Sequence, residues 1–447
     1  MDFGTERMRI DRRFDELWPI NRSITGPGLR KSLRILQKDI PLEIESIPSG
    51  TSVFDWTIPP EWKINEAWLE GPDGRRYADL DDNNLSIVNY SVAIDRHLRL
   101  EELDPHLYTI ESQPEAIPYV TSYYERNWGF SLPHSVYESL PKGEYHAYID
   151  AEFDSGGALN YGHTVLEGET DYEILLSTYL CHPSLANNEL SGPLVMTSLY
   201  NWLAEREDRK FTYRFVVVPE TIGSLGYLYR YGDHLQKKVV GGFVLTCLGG
   251  PDTDLSYKRS RRGNALIDMV VEYLDDYSDI GFRFRPFDTQ GSDERQYCSP
   301  GFNLPVGQFA RTVYADYPEY HTSLDDKSFM TIDALIQSAE SLKKVIEVIE
   351  VGGYYSNTEP FGEPMMSKRD LYPTVNEPEN HDQRELIQEM MRVLNFSDGT
   401  RPTIEIAEKF DMSVRDLRLA INALTSADLL RPAPQLPAYE IQYSDHD

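Results

Sequence analysis

The sequence predicts an α/β fold: a mixed or mostly parallel sheet sandwiched by helices, with a small β domain nested in it and a helical unit at the C-terminal end. Three observations carry that reading. Residues 173–180 (EILLSTYL) form a continuous apolar run bounded by the turn GETD, and a strand apolar on both faces belongs in the middle of a sheet covered on both sides. Strand-like and amphipathic runs then alternate as far as residue 350, the rhythm of crossover connections onto a largely parallel sheet. From residue 48 to about 110 the chain changes to short β-type runs broken by Pro-Pro, GPDG and DDNN, which suits a small antiparallel module.

In chain order, residues 8–45 read as helical: after the turn TGPG, the segment LRKSLRILQKDI sets Leu29, Leu33, Leu36 and Ile40 on one 3.6-residue period. The β module opens at Pro48-Ser49-Gly50 and holds Trp56, Trp62 and Trp68 of the six tryptophans, its expected core. GEYHAYIDAEFD and GHTVLEGE follow as further strands. Strand 173–180 leads to a helix at 191–206, strand 213–219 to a short helix ending near Tyr231, and strand 241–248 to a helix at 263–277. Strand-like runs at 283–288 and 304–310 bracket a polar loop, and a long helix at 332–350 closes the domain. The expected division is residues 1–45 with 116–352 as the α/β domain, 46–115 as the nested β domain, a Pro/Glu/Asn-rich linker at 353–382, and a winged-helix-sized unit at 383–437.

That last unit contains a helix, a short turn and a helix around Ala407, Asp411 and Ser413, the outline of a helix-turn-helix. A DNA reader needs an electropositive face. Between residues 398 and 431 the chain carries six acidic residues (398, 405, 408, 411, 416, 428) against five basic ones (401, 409, 415, 418, 431), so packing or oligomerisation is the expected role. The whole chain points the same way: 447 residues, net charge −30 and pI near 4.7 make nucleic acid and anionic membranes poor partners. Three cysteines form no disulfide framework, and the opening residues show no apolar signal segment, so a cytoplasmic protein is expected. No span of about 20 apolar residues occurs.

Chemistry gathers behind strand 173–180. His182, Asn187, Asn188 and Glu189 separate it from the next helix, the place where open α/β sheets put their sites. The spacing of seven between His182 and Glu189 suits a loop folding back on itself. Imidazole and carboxylate there can share a divalent ion, zinc by default; the alternative is a strand-end histidine satisfied by backbone, with asparagines capping the helix. Glu220 follows strand 213–219 directly, Asp293 lies in GSDERQYCSPG, and His321 in YPEYHTSLDD. Glu220 reads as a general base, with a helix cap as the alternative, and Asp293 as a site residue or a turn-former. Tyr314, Tyr317 and Tyr320 either wall a pocket or pack the loop. Cys181 and Cys247 are expected in the core, Cys181 facing away from His182 by strand alternation.

The order of these pieces resembles the co-catalytic zinc aminopeptidases and their glutaminyl cyclase relatives over roughly residues 120–350. His182 aligns with the first ligand histidine, Asn188 to Gly192 (NELSG) with the DNASG motif, Glu220 with the general base, Ser292-Asp293 with the SDH loop, and His321 with the last ligand histidine. Asn188, Thr221 and Thr246 stand where that family has its bridging aspartate, a second glutamate and a third-strand aspartate. SGTSVFDWTIPPEW, LCHPSLANNELSGP, VVVPETIGSLGY, GSDERQYCSPG and EYHTSLDD together resemble, over the whole chain, an aminopeptidase-like family of unassigned activity. That family has a nested β domain and a C-terminal winged helix, and is associated with bacterial polysaccharide and secondary-metabolite biosynthesis.

The resemblance implies one zinc ion per chain on His182, Glu189 and His321, with Glu220 as general base and Asp293 as an orienting group. It leaves Asn188, Tyr320 and Arg295 to bind substrate. The implied reaction is amide hydrolysis on a small peptide-like or amino-sugar-like intermediate. The alternative is a non-enzymatic binding or scaffold protein with a degenerate peptidase site, and a homo-oligomer is open in either case.

Overall fold

The computed structural model describes residues 3–372 and 381–433. Two helices, α1 (Phe3–Leu17) and α2 (Pro27–Leu36), lead into an eight-stranded mixed sheet. Its strands are β1 (Glu43–Pro48), β6 (Ala158–Leu166), β7 (Glu173–Tyr179), β8 (Thr212–Val218), β9 (Val239–Leu245), β10 (Leu255–Lys258), β11 (Phe282–Arg285) and β12 (Val306–Ala310). They lie in the order β1-β6-β8-β7-β9-β12-β10-β11. β8, β7, β9 and β12 run parallel at its centre. Every residue of β7 is buried, as its unbroken apolar run requires. Ile174 and Leu176 face a core shared with α1, α3 (Ser191–Ala204), α5 (Leu266–Tyr277) and α6 (Ile332–Val351). Leu175 faces the opposite core, which α4 (Ile222–Lys238) covers together with the nested module. Gly192, at the start of α3, lies against the Leu245 carbonyl at the end of β9 and Thr178 Oγ1, leaving no room for a side chain.

The nested module is larger than expected. Its antiparallel sheet runs β3 (Arg76–Asp79), β2 (Glu61–Glu70), β5 (Glu144–Asp154), β4 (Ile94–Arg99). The boundary at 115 is therefore corrected to about Asp154, because β5 pairs with both β2 and β4 from far along the chain. At the other end β1 belongs to the main sheet. Of the three tryptophans expected in this core only Trp62 is buried. Trp56 is exposed, and Trp68 stacks on Tyr148 under Arg76 at the surface.

The expected linker also begins too early. Residues 354–357 form β13 (Tyr354–Asn357), the central strand of a three-stranded sheet with β14 (Asp398–Pro402) and β15 (Leu430–Pro432). Its partners lie more than 40 residues away, so local composition hid it. Residues 373–380 of that segment, and 434–437 of the expected C-terminal unit, lie outside the described residues. Helices α7 (His381–Phe396), α8 (Thr403–Phe410) and α9 (Val414–Ser426) complete the winged helix. It packs on the α/β domain: Tyr273 of α5 donates to the Met412 carbonyl at 2.6 Å, and Arg418 of α9 donates to the Glu347 carbonyl of α6 at 3.3 Å. Among the described residues no helix is long and apolar enough to cross a membrane.

Candidate active site

After β7 the chain passes Cys181 and His182 and makes a single π-helical turn at Ala186–Leu190 before entering α3. That turn folds Glu189 back under His182. Glu189 Oε2 accepts from His182 Nδ1 at 2.8 Å, and Oε1 accepts a short hydrogen bond from the Cys181 N–H. Arg22, fully buried between α1 and α2, donates from Nε to the His182 carbonyl at 3.0 Å and stands 3.7 Å from Glu189 Oε1. From the other side Asp325 accepts the Asn187 and Asn188 N–H groups at 2.7 and 2.9 Å. A buried turn without such partners would leave its backbone donors unsatisfied.

Facing this turn, Glu220 stands at the end of β8 with Oε2 3.7 Å from His182 Nε2. Ser292 Oγ donates to the other carboxylate oxygen, Oε1, at 2.6 Å. Thr221 has φ 62°, unusual for a β-branched residue. This aims its N–H at Asp293 Oδ1, 2.7 Å away, which also accepts from Ser224 Oγ at 2.8 Å. His321 has φ 56°. Its ring lies 5.3 Å from that of His182, centre to centre, with Tyr320 stacked on it at 3.9 Å and Tyr119 edge-on to both histidines.

Burial pushes His321 down to about 3, and the neighbouring His182 adds to this, so its imidazole is neutral. Burial acts the same way on His182, but Cys181 and Glu189 outweigh it and raise the ring well above its ordinary value. Burial pushes the Cys181 thiol itself up to about 11, so near neutral pH it is uncharged and the effect on His182 rests on Glu189. Asp293 is raised to about 8 by burial and by Glu220. Asp325 is raised to about 7 by burial, against the pull of the Asn188 and Asn187 N–H groups.

The structure thus brings His182, Glu189, Glu220, Asp293 and His321 to one sheet edge, but puts Glu189 in a different place from that expected. The buried donors Cys181, His182 and Glu189 cluster within 4.8 Å of one another, and both Glu189 oxygens are engaged there. Glu189 therefore sits behind His182 as the carboxylate that fixes its ring, the usual outer partner of a metal-bound histidine, and does not stand beside His321 as a third ligand. Cys181 is also not turned away: strand alternation has ended, and its sulfur lies 3.4 Å from His182 Nδ1.

Elsewhere at this sheet edge polar atoms are left unpartnered, although His182, Asp293 and His321 do not converge within 4.8 Å as Cys181, His182 and Glu189 do. His321 Nε2 and Asp293 Oδ2 are buried without a hydrogen-bond partner, and His182 Nε2 is free of Glu189. By contrast, Tyr179 OH joins Thr246 Oγ1 (2.6 Å) and Asn188 Oδ1 (3.1 Å), so two positions where the aminopeptidases carry carboxylates form a neutral hydrogen-bonded network. The Asn188 side-chain nitrogen has no partner. Tyr320 caps His321. Tyr317 packs inward against Phe329 and Asp325. Arg295 spends two donors on the Ser292 and Thr289 carbonyls of its own loop. Arg22, Tyr119 and Asp325 were not foreseen; only Asp325 carried a local signal, in the SLDD that follows His321.

A relative from Clostridium acetobutylicum, named for polysaccharide biosynthesis and an aminopeptidase-like domain, is 41% identical over 417 residues, covering 93% of this chain and 94% of its own. A crystal structure of a protein from Clostridium acetobutylicum, named as a peptidase, superposes with a TM-score of 0.84 at 40% identity and 96% coverage of both chains. The zinc aminopeptidase of Bacillus subtilis matches at TM-score 0.54 and 11% identity, over 76% of this chain and 95% of its own, a likeness of fold alone. A winged helix-turn-helix family matches residues 353–432. Residues 12–352 match the family described as Domain of unknown function (DUF4910), and the chain belongs to that family, on an aminopeptidase-like fold with a C-terminal winged helix.

Proposed function

We propose that this chain is a zinc-dependent amide hydrolase acting on a small peptide-like or amino-sugar-like intermediate. The observation that carries the reading is His182: Nδ1 is fixed by Glu189, and Nε2 faces Glu220 across 3.7 Å, too far for a hydrogen bond. His182 Nε2 and His321 Nε2 would hold one zinc ion, and Asp293 Oδ2 is a buried carboxylate oxygen without a partner at the same sheet edge. When bound, zinc supplies Lewis acidity toward the scissile carbonyl and the attacking water. Glu220 takes the proton of that water and delivers it to the leaving amine. Ser292 holds Glu220 in register, and Asn188 offers its free amide N–H to a substrate oxygen. Tyr119 and Tyr320 exclude water around His321.

A second reading, a ligand-binding protein without catalysis, is favoured by the neutral Tyr179–Asn188–Thr246 network. Zinc titration followed by a screen of aminoacyl and N-acyl amides separates the two. The hydrolase reading expects His182→Ala to remove one equivalent of zinc and all turnover. If zinc does not bind at His182, or no amide is cleaved with zinc bound, the ligand-binding reading replaces it.

A further inference from the structure

A second set of metal-type donors lies on the edge strand β1. In the antiparallel pairing of β1 with β6, Glu43 stands opposite His163 and Glu45 opposite Tyr161. Residues two apart on a strand share a face, so all four project toward one side, where α4 places Tyr227, Arg230 and Tyr231. Glu43, Glu45 and His163 each offer a ligand atom there, all within 4.8 Å of one another.

His163 is the informative member. It is 8% exposed, and its Nδ1 meets the Tyr227 hydroxyl at 3.1 Å. Its Nε2 has no hydrogen-bond partner and stands 3.8 Å from Glu45 Oε1. That gap is too long for a hydrogen bond. It is close to the roughly 3.4 Å that separates two ligands of a tetrahedral zinc with bonds of ~2.0–2.1 Å. Glu45 Oε2 is held by the Tyr161 hydroxyl and by Arg230 at 2.9 Å, while Oε1 takes only the Tyr231 hydroxyl at 2.9 Å and keeps a lone pair toward His163. Burial holds His163 below its ordinary value, with Glu45 opposing, so the ring is in its neutral, ligating form. With a proton on Nδ1 for Tyr227, Nε2 presents its lone pair, the arrangement outer partners impose on metal-bound histidines. Glu43 is exposed and gives an ion access.

We propose that Glu43, Glu45 and His163 form a divalent-cation site of the zinc class that staples β1 to β6 beneath α4, independent of the centre at His182. One imidazole and two carboxylates are a donor set that suits zinc.

The test is calorimetric titration of zinc into the metal-stripped full chain carrying His182→Ala and His321→Ala, which silences the central site. About one equivalent of zinc is expected to bind and to raise the melting temperature. Adding Glu43→Gln, a surface change that leaves the fold intact, weakens that binding by about tenfold or more, and His163→Ala abolishes it. Absence of zinc binding in the double variant, or binding indifferent to Glu43→Gln and His163→Ala, overturns the proposal. His163→Ala in the otherwise native chain reads the central site alone, so a failure at either centre is seen while the other is still measured.

Discussion

Ser292 Oγ donates to Glu220 Oε1 at 2.6 Å, while Glu220 Oε2 faces His182 Nε2 at 3.7 Å. One oxygen of the carboxylate is thus anchored and the other is presented to the open side of His182. A helix cap would instead turn its oxygens to backbone N–H groups, and here Glu220 accepts from a side chain of another loop. We expect Glu220→Gln to lower amide hydrolysis by about 10²-fold or more, the scale of a general base, with zinc content unchanged. Ser292→Ala removes one hydrogen bond to a charged group, worth about 1.5–3 kcal/mol. It should lower kcat by roughly tenfold or more with little change in KM. Wild-type turnover by the Gln variant would return Glu220 to a structural role.

Glu189 has three partners, the His182 ring, the Cys181 N–H and the Arg22 guanidinium, with no exposed surface on the Glu189 or Arg22 side chain. Glu189→Gln leaves Arg22 buried without its countercharge, a loss of about 3–5 kcal/mol for broken buried pairs. It also loosens the His182 ring, which for outer-shell partners costs about 10–100-fold in metal affinity. Urea unfolding and zinc titration of the variant check the two effects separately. Native stability together with native zinc affinity would contradict both roles of Glu189.

The C-terminal winged helix is expected not to read DNA. Arg418, on the helix that would enter a groove, is turned to the Glu347 carbonyl of α6, and the chain carries a net charge of −30. Labelled duplex at low salt should not be retained. Submicromolar, salt-sensitive retention that Arg415→Glu abolishes would show that α9 works as a recognition helix.

Much of this was legible in the sequence because it was local. The apolar run that became β7 fixed where the sheet centre and its polar loop lie, and His182, Glu220, Asp293 and His321 each follow a strand or precede a helix at the same sheet edge. What escaped was non-local. Residues 144–154 read as strand from their pattern, yet nothing in it says that β5 pairs with β2, some 80 residues earlier. The spacing of His182 and Glu189 suggested a loop folding back, but only the π-helical turn at Ala186–Leu190 decides that Glu189 lands behind the ring. Arg22 lies in NRSITGPG, a segment that looks like an ordinary turn, and its importance comes wholly from the partners the fold brings to it.

Lys210 gives a prediction that does not depend on the catalytic reading. It is 7% exposed at the seam between the α/β domain and the winged helix, with its ammonium 4.0 Å from the Tyr355 ring centre and no hydrogen-bond acceptor. Burial pushes its pKa down to about 7, against the pull of Glu350 and Glu169. Glu350 itself is raised by burial while accepting from the Tyr213 hydroxyl and the Lys210 N–H. Below pH 7 both the folded and the unfolded chain hold the Lys210 proton, and the full cost of burying the charge is present. Between about 7 and the unfolded value of 10.5 the unfolded chain binds a proton that the folded chain lacks, so this residue's contribution to stability rises with pH. Lys210→Met keeps the length and apolar stem of the side chain without the charge. The variant should therefore be more stable than the wild type at pH 6, with the difference shrinking steadily toward pH 9 in urea unfolding. A difference that stays constant over that range, or a wild type that is the more stable protein at pH 6, would mean that Lys210 remains charged in the fold and is held by Tyr355 and Glu350.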